Sequence, residues 1–224
     1  MSNFIGGTPR ACIAHRRSSL CAGLLVARFQ QKAWRTALSL TGGIAIEGCF
    51  PEQPCVIIAN HRSICDAPAM LASIPSVVRP VVVLDRTYWG RHPIRGLVSR
   101  TLMRGHYIRR GGGGYDDLLR VLPLLRAGRS VVIFPEGTRS RTGDVGRFRR
   151  GAFALARAAD VPVLSVGLVG TAEVIPINAL RTHRSEISVR VGTLMTAPEP
   201  SHARAVVAQL ARPSTPDSTG RQSF

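Results

Sequence analysis

Apolar and polar residues follow two periods along this chain, one typical of β-strands and one typical of α-helices. Short apolar runs predict buried strands at residues 56–59, 80–84, 130–134 and 163–169. Alternating patterns predict two more strands, at residues 44–48 and 187–191. Helical patterns occupy residues 67–74, 115–127, 150–159 and 202–211. Because strands alternate with helices throughout, we expect an α/β fold: a single domain with a mixed, largely parallel sheet flanked by helices.

Residues 25–40 have the pattern of a short amphipathic helix near the N-terminus. Its polar residues share one narrow face of a helical wheel: Arg28, Gln31, Lys32 and Arg35. Apolar residues, among them Trp34, fill the rest of the wheel. A basic stripe beside such an apolar face suits a helix that lies in a membrane interface. A surface helix packed on the protein core would have the same pattern, so both interpretations remain open.

The chain divides into three parts by composition. Residues 1–40 form a basic N-terminal segment that contains the amphipathic helix, and residues 41–212 form the folded domain. Residues 213–224 are polar and contain Pro, Ser and Thr, so we expect a disordered tail. No stretch of the sequence approaches the roughly 20 apolar residues that are needed to span a bilayer.

Charge and cysteine content narrow the classes of function. The net charge of +17 indicates a polyanionic partner, either nucleic acid or an anionic membrane surface. Aromatic residues make up 5% of the chain and are not interleaved with arginines, which favours the membrane over nucleic acid. The five cysteines are odd in number and lack C-x-x-C spacing. This argues against a disulfide framework or a zinc site and favours a reducing compartment.

The candidate chemistry begins where the strand at 56–59 ends. His61 is followed five residues later by Asp66, and five residues along one helix separate side chains by about 140°. The two can therefore meet only if His61 precedes the helix and Asp66 lies in its first turn, as Pro68 also indicates. Such a pair could act as a general base and its orienting carboxylate. Alternatively, Ser63-x-x-Asp66 is a capping-box pattern, in which Asp66 only caps the helix.

Two strand-ending segments resemble the sequence blocks of the glycerolipid acyltransferases typified by 1-acylglycerol-3-phosphate acyltransferase. The block Asn-His-x-Ser-x-x-Asp is matched within residues 60–66, and Phe-Pro-Glu-Gly-Thr-Arg-Ser is matched in full at residues 134–140. Gly105 with Arg110 resembles the second block, and Val-Pro-Val at residues 161–163 resembles the fourth. The blocks occur in the family's order, at family-like separations.

The resemblance implies acyl transfer from a thioester to an alcohol. His61 would take the proton of the acceptor hydroxyl, and Asp66 would fix the imidazole tautomer and stabilise its cationic form. The chain has no Gly-x-Ser-x-Gly elbow, so we expect direct attack of the acceptor on the thioester without an acyl-enzyme. Neither a cofactor nor a metal ion is expected.

The resemblance also implies a set of substrate-binding residues. They are Gly105, Arg110, Glu136, Gly137, Thr138 and Arg139. Arg110 and Arg139 would bind a phosphate group of the acceptor, since guanidinium groups present forked donors. Either arginine could instead be a structural ion-pair partner, for which Glu136 is an available acid. Gly137 would be required for its backbone freedom.

The sequence departs from the family pattern at two positions. Arg109 stands where the family often has an acidic residue, and Ser165 replaces a proline that is common in the fourth block. The Arg109 departure leaves the identity of the acceptor open.

The expected function is transfer of a fatty acyl chain to the free hydroxyl of a lysophospholipid, with 1-acyl-glycerol-3-phosphate as acceptor and phosphatidate as product. Acyl-CoA or acyl-carrier protein would be the donor, and an anionic membrane surface would be a partner. The expected location is cytoplasmic, peripheral on the inner face of the cell membrane. A different lyso-lipid acceptor is the first alternative. A non-catalytic basic module that binds nucleic acid or lipid is the second.

Overall fold

A seven-stranded β-sheet forms the centre of the computed structural model, which describes residues 10–109, 113–176 and 181–213. The strands are β1 (Ile44–Glu47), β2 (Val56–Ala59), β3 (Val81–Asp85), β4 (His106–Ile108), β5 (Val131–Ile133), β6 (Val163–Val169) and β7 (Ile187–Met195). The helices are α1 (Arg10–Ser39), α2 (Asp66–Ser73), α3 (Arg86–Gly90), α4 (Pro93–Thr101), α5 (Gly114–Leu119), α6 (Leu122–Arg126), α7 (Gly151–Ala159), α8 (Thr171–Val174) and α9 (Pro200–Leu210).

The order of the strands is β1-β7-β6-β2-β5-β3-β4. Five neighbouring strands, from β6 to β4, are parallel, whereas β7 pairs with β6 in the antiparallel sense and β1 runs parallel to β7. The predicted α/β fold with a mixed, largely parallel sheet is therefore confirmed. In a parallel array the carboxyl ends of all the strands meet at one edge, which is where such folds place their ligand sites.

Both faces of the sheet are covered, as a parallel sheet requires. Two successive side chains of β2, which point to opposite faces of the sheet, show this directly. Ile57 packs on one face with Met70 of α2, and Ile58 packs on the other face with Phe153 of α7. Full burial of each such aliphatic side chain contributes about 1.5–3 kcal/mol. Because both faces of β2 are buried, its sequence is a continuous apolar run and does not alternate between apolar and polar residues.

Within the folded domain, two predicted elements differ from those observed by a break or by more than two residues in length. The pattern at residues 115–127 predicts one helix kinked at Pro123, but the chain forms the two short helices α5 and α6 with a break between them. Pro123 explains the break, because it lies in the first turn of α6, where a missing N–H is tolerated. The strand predicted at 187–191 extends to Met195, paired with β6. The predicted tail, apart from residue 213, lies outside the described residues.

Helix α1 begins at Arg10, well before the predicted segment, and it packs on the domain through polar groups. Gln31 Nε2 donates to the carbonyl of Ile74 (2.8 Å), and Arg35 Nε donates to the carbonyl of Ala72 (2.7 Å). These carbonyls belong to the end of α2, where the last turn lacks helical partners. Part of the polar stripe therefore faces the protein.

The outward side of α1 is in part apolar. Leu25 and Phe29 are 64% and 66% exposed, and Val26 is also exposed. The core side of the same helix is formed by residues such as Ala27 and Leu38, which are buried. Among the described residues, we find no helix that combines the length and the hydropathy needed to cross a membrane.

Candidate active site

Residues 60–66 and 134–140 lie side by side at the carboxyl edge of the sheet. The reason is the topology: they follow β2 and β5, which are adjacent parallel strands. The Asn60 side chain fixes the first segment by bonding both backbone groups of Leu168, donating from Nδ2 (2.9 Å) and accepting at Oδ1 (2.7 Å). These two bonds extend the β2–β6 pairing one residue beyond Ala59. Asn60 is therefore a structural residue that sets where His61 leaves the sheet.

His61 and Asp66 meet as the spacing requires, with His61 before α2 and Asp66 as its first residue. His61 Nδ1 lies 2.7 Å from Asp66 Oδ2. The Asp66 side chain is fully buried, whereas 23% of the His61 side chain is exposed. The same carboxylate oxygen accepts from the backbone N–H groups of Arg62 (2.7 Å) and Ser63 (2.8 Å). Asp66 is thus held in place by the loop that carries His61.

The capping interpretation of Asp66 describes part of this arrangement. Its bond to the Ser63 N–H is the carboxylate half of a capping box. The other half is absent from this segment, because Ser63 Oγ donates to the carbonyl of Ile175 (2.7 Å) and accepts from the Cys65 N–H (3.2 Å). Asp66 therefore organises the loop and also bonds the imidazole.

The main chain of His61 is fixed on both sides by the second segment. Its N–H donates to Glu136 Oε1 (2.8 Å), and its carbonyl accepts from the Ser140 N–H (2.7 Å). The imidazole stacks on the ring of Phe134, with centroids 4.4 Å apart and planes inclined by 19°. With Nδ1 bonded to Asp66, the ring presents Nε2 as its second nitrogen, and His61 lines the adjacent cavity.

Glu136 connects three segments and does not line the cavity. It is buried, and its second oxygen accepts from the Gly146 N–H (2.9 Å). Burial raises the pKa of the Glu136 carboxyl, and the two backbone N–H bonds oppose that rise. Both oxygens are thus taken by backbone donors, and among the described residues Glu136 forms no salt bridge with Arg139. The structure therefore does not support the alternative that Arg139 is the ion-pair partner of Glu136.

A cavity of about 440 Å³ opens beside His61. Its lining includes the apolar residues Ile64, Trp89, Ile108, Leu118 and Ile133. Its lining also includes three arginines, Arg109, Arg139 and Arg149. The site thus combines apolar volume with cationic donors next to a histidine.

The remaining residues predicted to bind substrate differ in their position relative to the cavity. Thr138 and Gly137 line the cavity, and Gly137 has the predicted special backbone, with φ at +73°. A Cβ at Gly137 would lie 2.8 Å from Arg149 Nε, so its lack of a side chain leaves room for that guanidinium. Gly105 lies behind the cavity wall, where a Cβ would collide with Leu84 Cδ1. Arg110 lies outside the described residues.

Tyr88 lines the cavity, is contacted by Arg95 and was not identified from the sequence. The Tyr88 ring lies 5.3 Å from Arg139 Cζ and 4.7 Å from Arg95 Cζ, measured to the ring centroid. Both distances fit cation–π contacts, which orient the guanidinium groups. The sequence offered one indication of this turn, which is Asp85 as a helix-capping residue. Its Oδ1 accepts a hydrogen bond from the Tyr88 N–H (2.6 Å) at the start of α3.

Arg109 is paired with Asp117 in a forked ion pair. Its Nε lies 2.7 Å from Oδ2 and its Nη2 lies 3.0 Å from Oδ1, while its backbone N–H also donates to Oδ2 (3.0 Å). These bonds from Arg109 lower the pKa of the buried Asp117 carboxyl to about 2. Arg109, which stands where the family often has an acidic residue, therefore joins the end of β4 to α5.

Cys65 lies close to the histidine but is unsuited to nucleophilic attack. Its side chain is buried, and burial together with the charge of Asp66 raises the thiol pKa to about 11. The thiol therefore stays protonated near neutral pH, whereas the thiolate is the reactive form.

Comparisons with known proteins identify the family of this chain. The chain matches the family model Acyltransferase over residues 30–169. It is 32% identical, over 134 residues, to the chloroplastic 1-acyl-sn-glycerol-3-phosphate acyltransferase BAT2 of Brassica napus, covering 56% of this chain and 36% of that protein. It is 30% identical, over 117 residues, to the human 1-acyl-sn-glycerol-3-phosphate acyltransferase alpha, covering 52% of this chain and 41% of that protein. The chain thus spans well under half the length of these relatives.

A solved structure supports the fold. The 1-acyl-sn-glycerophosphate (LPA) acyltransferase PlsC from Thermotoga maritima superposes with a TM-score of 0.67 at 20% sequence identity, covering 83% of this chain and 76% of that chain. The matched family region includes β1 to β6 and both segments of the site. This chain therefore belongs to the Acyltransferase family.

Proposed function

We propose that this protein transfers a fatty acyl chain from a thioester to the free hydroxyl of 1-acyl-glycerol-3-phosphate and so forms phosphatidate. The observation that carries the proposal is the His61–Asp66 pair, 2.7 Å apart, beside a cavity lined by apolar and cationic residues. The relatives named above are 1-acyl-sn-glycerol-3-phosphate acyltransferases, which supports this acceptor.

In the proposed mechanism His61 is the general base. Asp66 accepts from Nδ1–H and so leaves the lone pair on Nε2, which takes the proton of the acceptor hydroxyl. The hydroxyl oxygen bonds to the thioester carbonyl carbon, the carbon–sulfur bond breaks, and the leaving thiolate receives the proton from Nε2. The buried carboxylate stabilises the transient imidazolium. General-base catalysis of this kind contributes about 10²- to 10⁴-fold in rate.

The cavity lining suits both ends of an amphiphilic acceptor. Arg139 and Arg149 would bind the phosphate, because guanidinium groups pair with phosphate oxygens through two parallel hydrogen bonds. The contact of Arg139 with Tyr88 holds its side chain near the cavity. Apolar side chains such as Ile133 and Leu118 would contact acyl chain. Acyl-CoA or acyl-carrier protein would supply the thioester.

A different lyso-lipid acceptor is the second candidate, and Arg109 favours it. Arg109 lines the cavity and its guanidinium is bonded to Asp117, so the charge of this arginine is already neutralised. An acceptor with a zwitterionic headgroup would fit such a wall better than one with a bare phosphate. The non-catalytic binding module has no comparable support, because it would leave the His61–Asp66 pair without a role.

We also propose that the protein works at an anionic membrane surface, on the inner face of the cell membrane. The net charge of +17 and the exposed apolar residues Leu25 and Phe29 support this placement.

The activity is tested by mass-spectrometric detection of phosphatidate from lysophosphatidate with acyl-CoA or acyl-carrier protein. We expect product from the wild type and none from His61→Ala. His202→Ala is the matched control, since His202 is exposed on α9, and it should retain activity. Equal product from His61→Ala would remove His61 from its role. Product from lysophosphatidylcholine but not from lysophosphatidate would favour the second candidate.

A further inference from the structure

Three arginines form a cluster at the edge of the sheet opposite to the cavity. Arg79 precedes β3, Arg104 precedes β4 and Arg129 precedes β5. Because β3, β4 and β5 are neighbours and parallel, their amino ends lie together, one strand length away from the carboxyl edge that carries His61. The cluster is therefore separate from the candidate active site.

Backbone carbonyls hold the three side chains in place. Arg129 Nε donates to the carbonyl of Arg79 (3.1 Å), and Arg79 Nη2 donates to that of Ala127 (2.8 Å). Arg104 Nη2 donates to the carbonyl of Gly23 in α1 (3.0 Å). Each guanidinium has five N–H donors, so within the described chain most of these donors have no protein acceptor.

The cluster concentrates positive charge where the described residues supply no counterion. In the part of the chain that the structure describes, no carboxylate forms a salt bridge with Arg79, Arg104 or Arg129. All three residues are half-buried. Burial, followed by the charges of Arg104 and Arg79, lowers the pKa of Arg129 to about 10. Burial and the charge of Arg79 lower the pKa of Arg104 as well.

Two of the three arginines also have an unfavourable backbone conformation. The φ angle is +43° at Arg79 and +48° at Arg104, in the left-handed region that side chains with a Cβ rarely adopt. Strained residues of this kind concentrate at binding and catalytic sites. Here the strain coincides with like charges that repel one another, and a bound anion would offset that repulsion.

We propose that Arg79, Arg104 and Arg129 form a binding site for a phosphate group. Forked guanidinium donors match the oxygens of phosphate, and three converging cations suit a dianion. The phosphate could be free in solution or belong to a lipid headgroup. Two exposed apolar residues are near in sequence to residues of the cluster: Val77 is two residues before Arg79, and Val26 is three residues after Gly23.

The first test is thermal unfolding in inorganic phosphate and in chloride at equal ionic strength. A ligand at a few times its Kd should raise the Tm of the wild type by about 2–4 °C. The double variant Arg104→Gln/Arg129→Gln should lose this response. Arg184→Gln, at an exposed loop position, is the matched control and should keep it. Arg139→Gln should keep the part of the shift that the double variant loses, which distinguishes this site from the candidate active site.

The second test uses vesicles of phosphatidylcholine with and without phosphatidylglycerol, and measures flotation of the same variants. Loss of phosphate-dependent stabilisation in the double variant indicates a site for free phosphate. Loss only of binding to phosphatidylglycerol vesicles indicates a lipid headgroup. If wild type and double variant respond equally in both tests, or the wild type responds in neither, the proposal is wrong. Should the double variant fail to fold, Arg104→Lys keeps the charge without the fork and should show a weakened response.

Discussion

Glu136 Oε1 accepts a hydrogen bond of 2.8 Å from the backbone N–H of His61, while its other oxygen binds the Gly146 N–H. One buried carboxylate thereby joins the loop after β2 to the loop after β5. The residue that the motif suggests as a substrate ligand thus acts from behind the cavity wall. The position of the imidazole depends on Glu136, because the loop that Glu136 holds after β2 carries both His61 and Asp66.

Replacing Glu136 by Gln should disturb this junction. The carboxamide has one oxygen for two backbone donors, so its NH₂ group faces a second N–H. We expect the free energy of unfolding to fall by about 1–3 kcal/mol, the cost of an unsatisfied buried hydrogen bond. We also expect kcat to fall more than the acceptor KM changes, because His61 moves. Thermal unfolding and steady-state kinetics measure both effects. Glu173→Gln, at an exposed position of α8, is the control. A variant with wild-type Tm and kcat would contradict this role.

The variant Gly137→Ala, compared with the same change at another glycine, separates two effects of a side chain at this position. These are strain of the backbone and crowding against Arg149. The left-handed conformation at Gly137 costs an alanine about 1–2 kcal/mol, and its Cβ would also lie 2.8 Å from Arg149 Nε. Gly43 is the matched control, because it also has positive φ but nothing lies within 4 Å of a Cβ there. Both variants should unfold at lower temperature, and only Gly137→Ala should raise the acceptor KM. Equal kinetics in the two variants would show that Arg149 tolerates the methyl group.

Arg139→Lys should raise the KM for lysophosphatidate with little change in kcat. A lysine replaces a forked donor by a point charge and also loses the planar contact with Tyr88. Hydrogen bonds to a charged group contribute about 1.5–3 kcal/mol, so losing one corresponds to roughly a tenfold or larger rise in KM. Arg147→Lys, at an exposed position in the same loop, is the control. An unchanged acceptor KM would remove Arg139 from phosphate binding.

The sequence predicts the parts of this site that depend on short-range relations. Apolar runs identify β2 and β6, and the five-residue spacing, with Pro68, predicts how His61 meets Asp66. Contacts between segments that are far apart in the chain leave no comparable pattern in the sequence. The bond from Glu136 to His61 joins residues 75 apart in the chain, and the motif alone does not reveal which way the carboxylate points.

The orientation of α1 shows the same limit. A helical wheel places Gln31 and Arg35 on a polar face, which suggests solvent. In the structure both donate to carbonyls at the end of α2, because those carbonyls lack helical partners. Likewise, Arg109 looks like a mismatch to the family block until Asp117 is seen to pair with it.

The Arg109–Asp117 pair predicts a pH dependence of stability. The pKa of Asp117 is lowered from 3.8 to about 2 in the folded protein, so the pair stabilises the fold above pH 3.8. That stabilisation is lost as the pH falls from about 3.8 to about 2, because the unfolded chain takes up the proton first. Between pH 4 and pH 2 we therefore expect the Tm of Asp117→Asn to fall less steeply than that of the wild type.

The control for this titration is Asp116→Asn. Asp116 is the exposed neighbour on α5, so its replacement changes the net charge by the same amount without removing the ion pair. Its Tm should follow the wild-type pH profile. Equal slopes for Asp117→Asn and the wild type would mean that the pair does not stabilise the folded state.

The outward side of α1 predicts which substitutions weaken membrane binding. Deleting residues 1–40 would be a poor test, because it also removes the donors that Gln31 and Arg35 provide to the end of α2. Leu25→Ser/Phe29→Ser changes only exposed side chains and leaves those bonds intact. Full burial of each large apolar side chain contributes about 1.5–3 kcal/mol, so the double variant should bind vesicles at least 100-fold more weakly.

Flotation with phosphatidylglycerol vesicles measures this change, and circular dichroism verifies that the variant is folded. Ile46→Ser is the control, since Ile46 is an exposed apolar residue that lies on β1 and not on α1. Activity on soluble, short-chain acceptor should be unaffected in both variants, because neither position lines the cavity. If Leu25→Ser/Phe29→Ser floats as well as the wild type, then α1 does not bind the membrane through this face, and basic residues elsewhere must account for any attraction to the anionic surface.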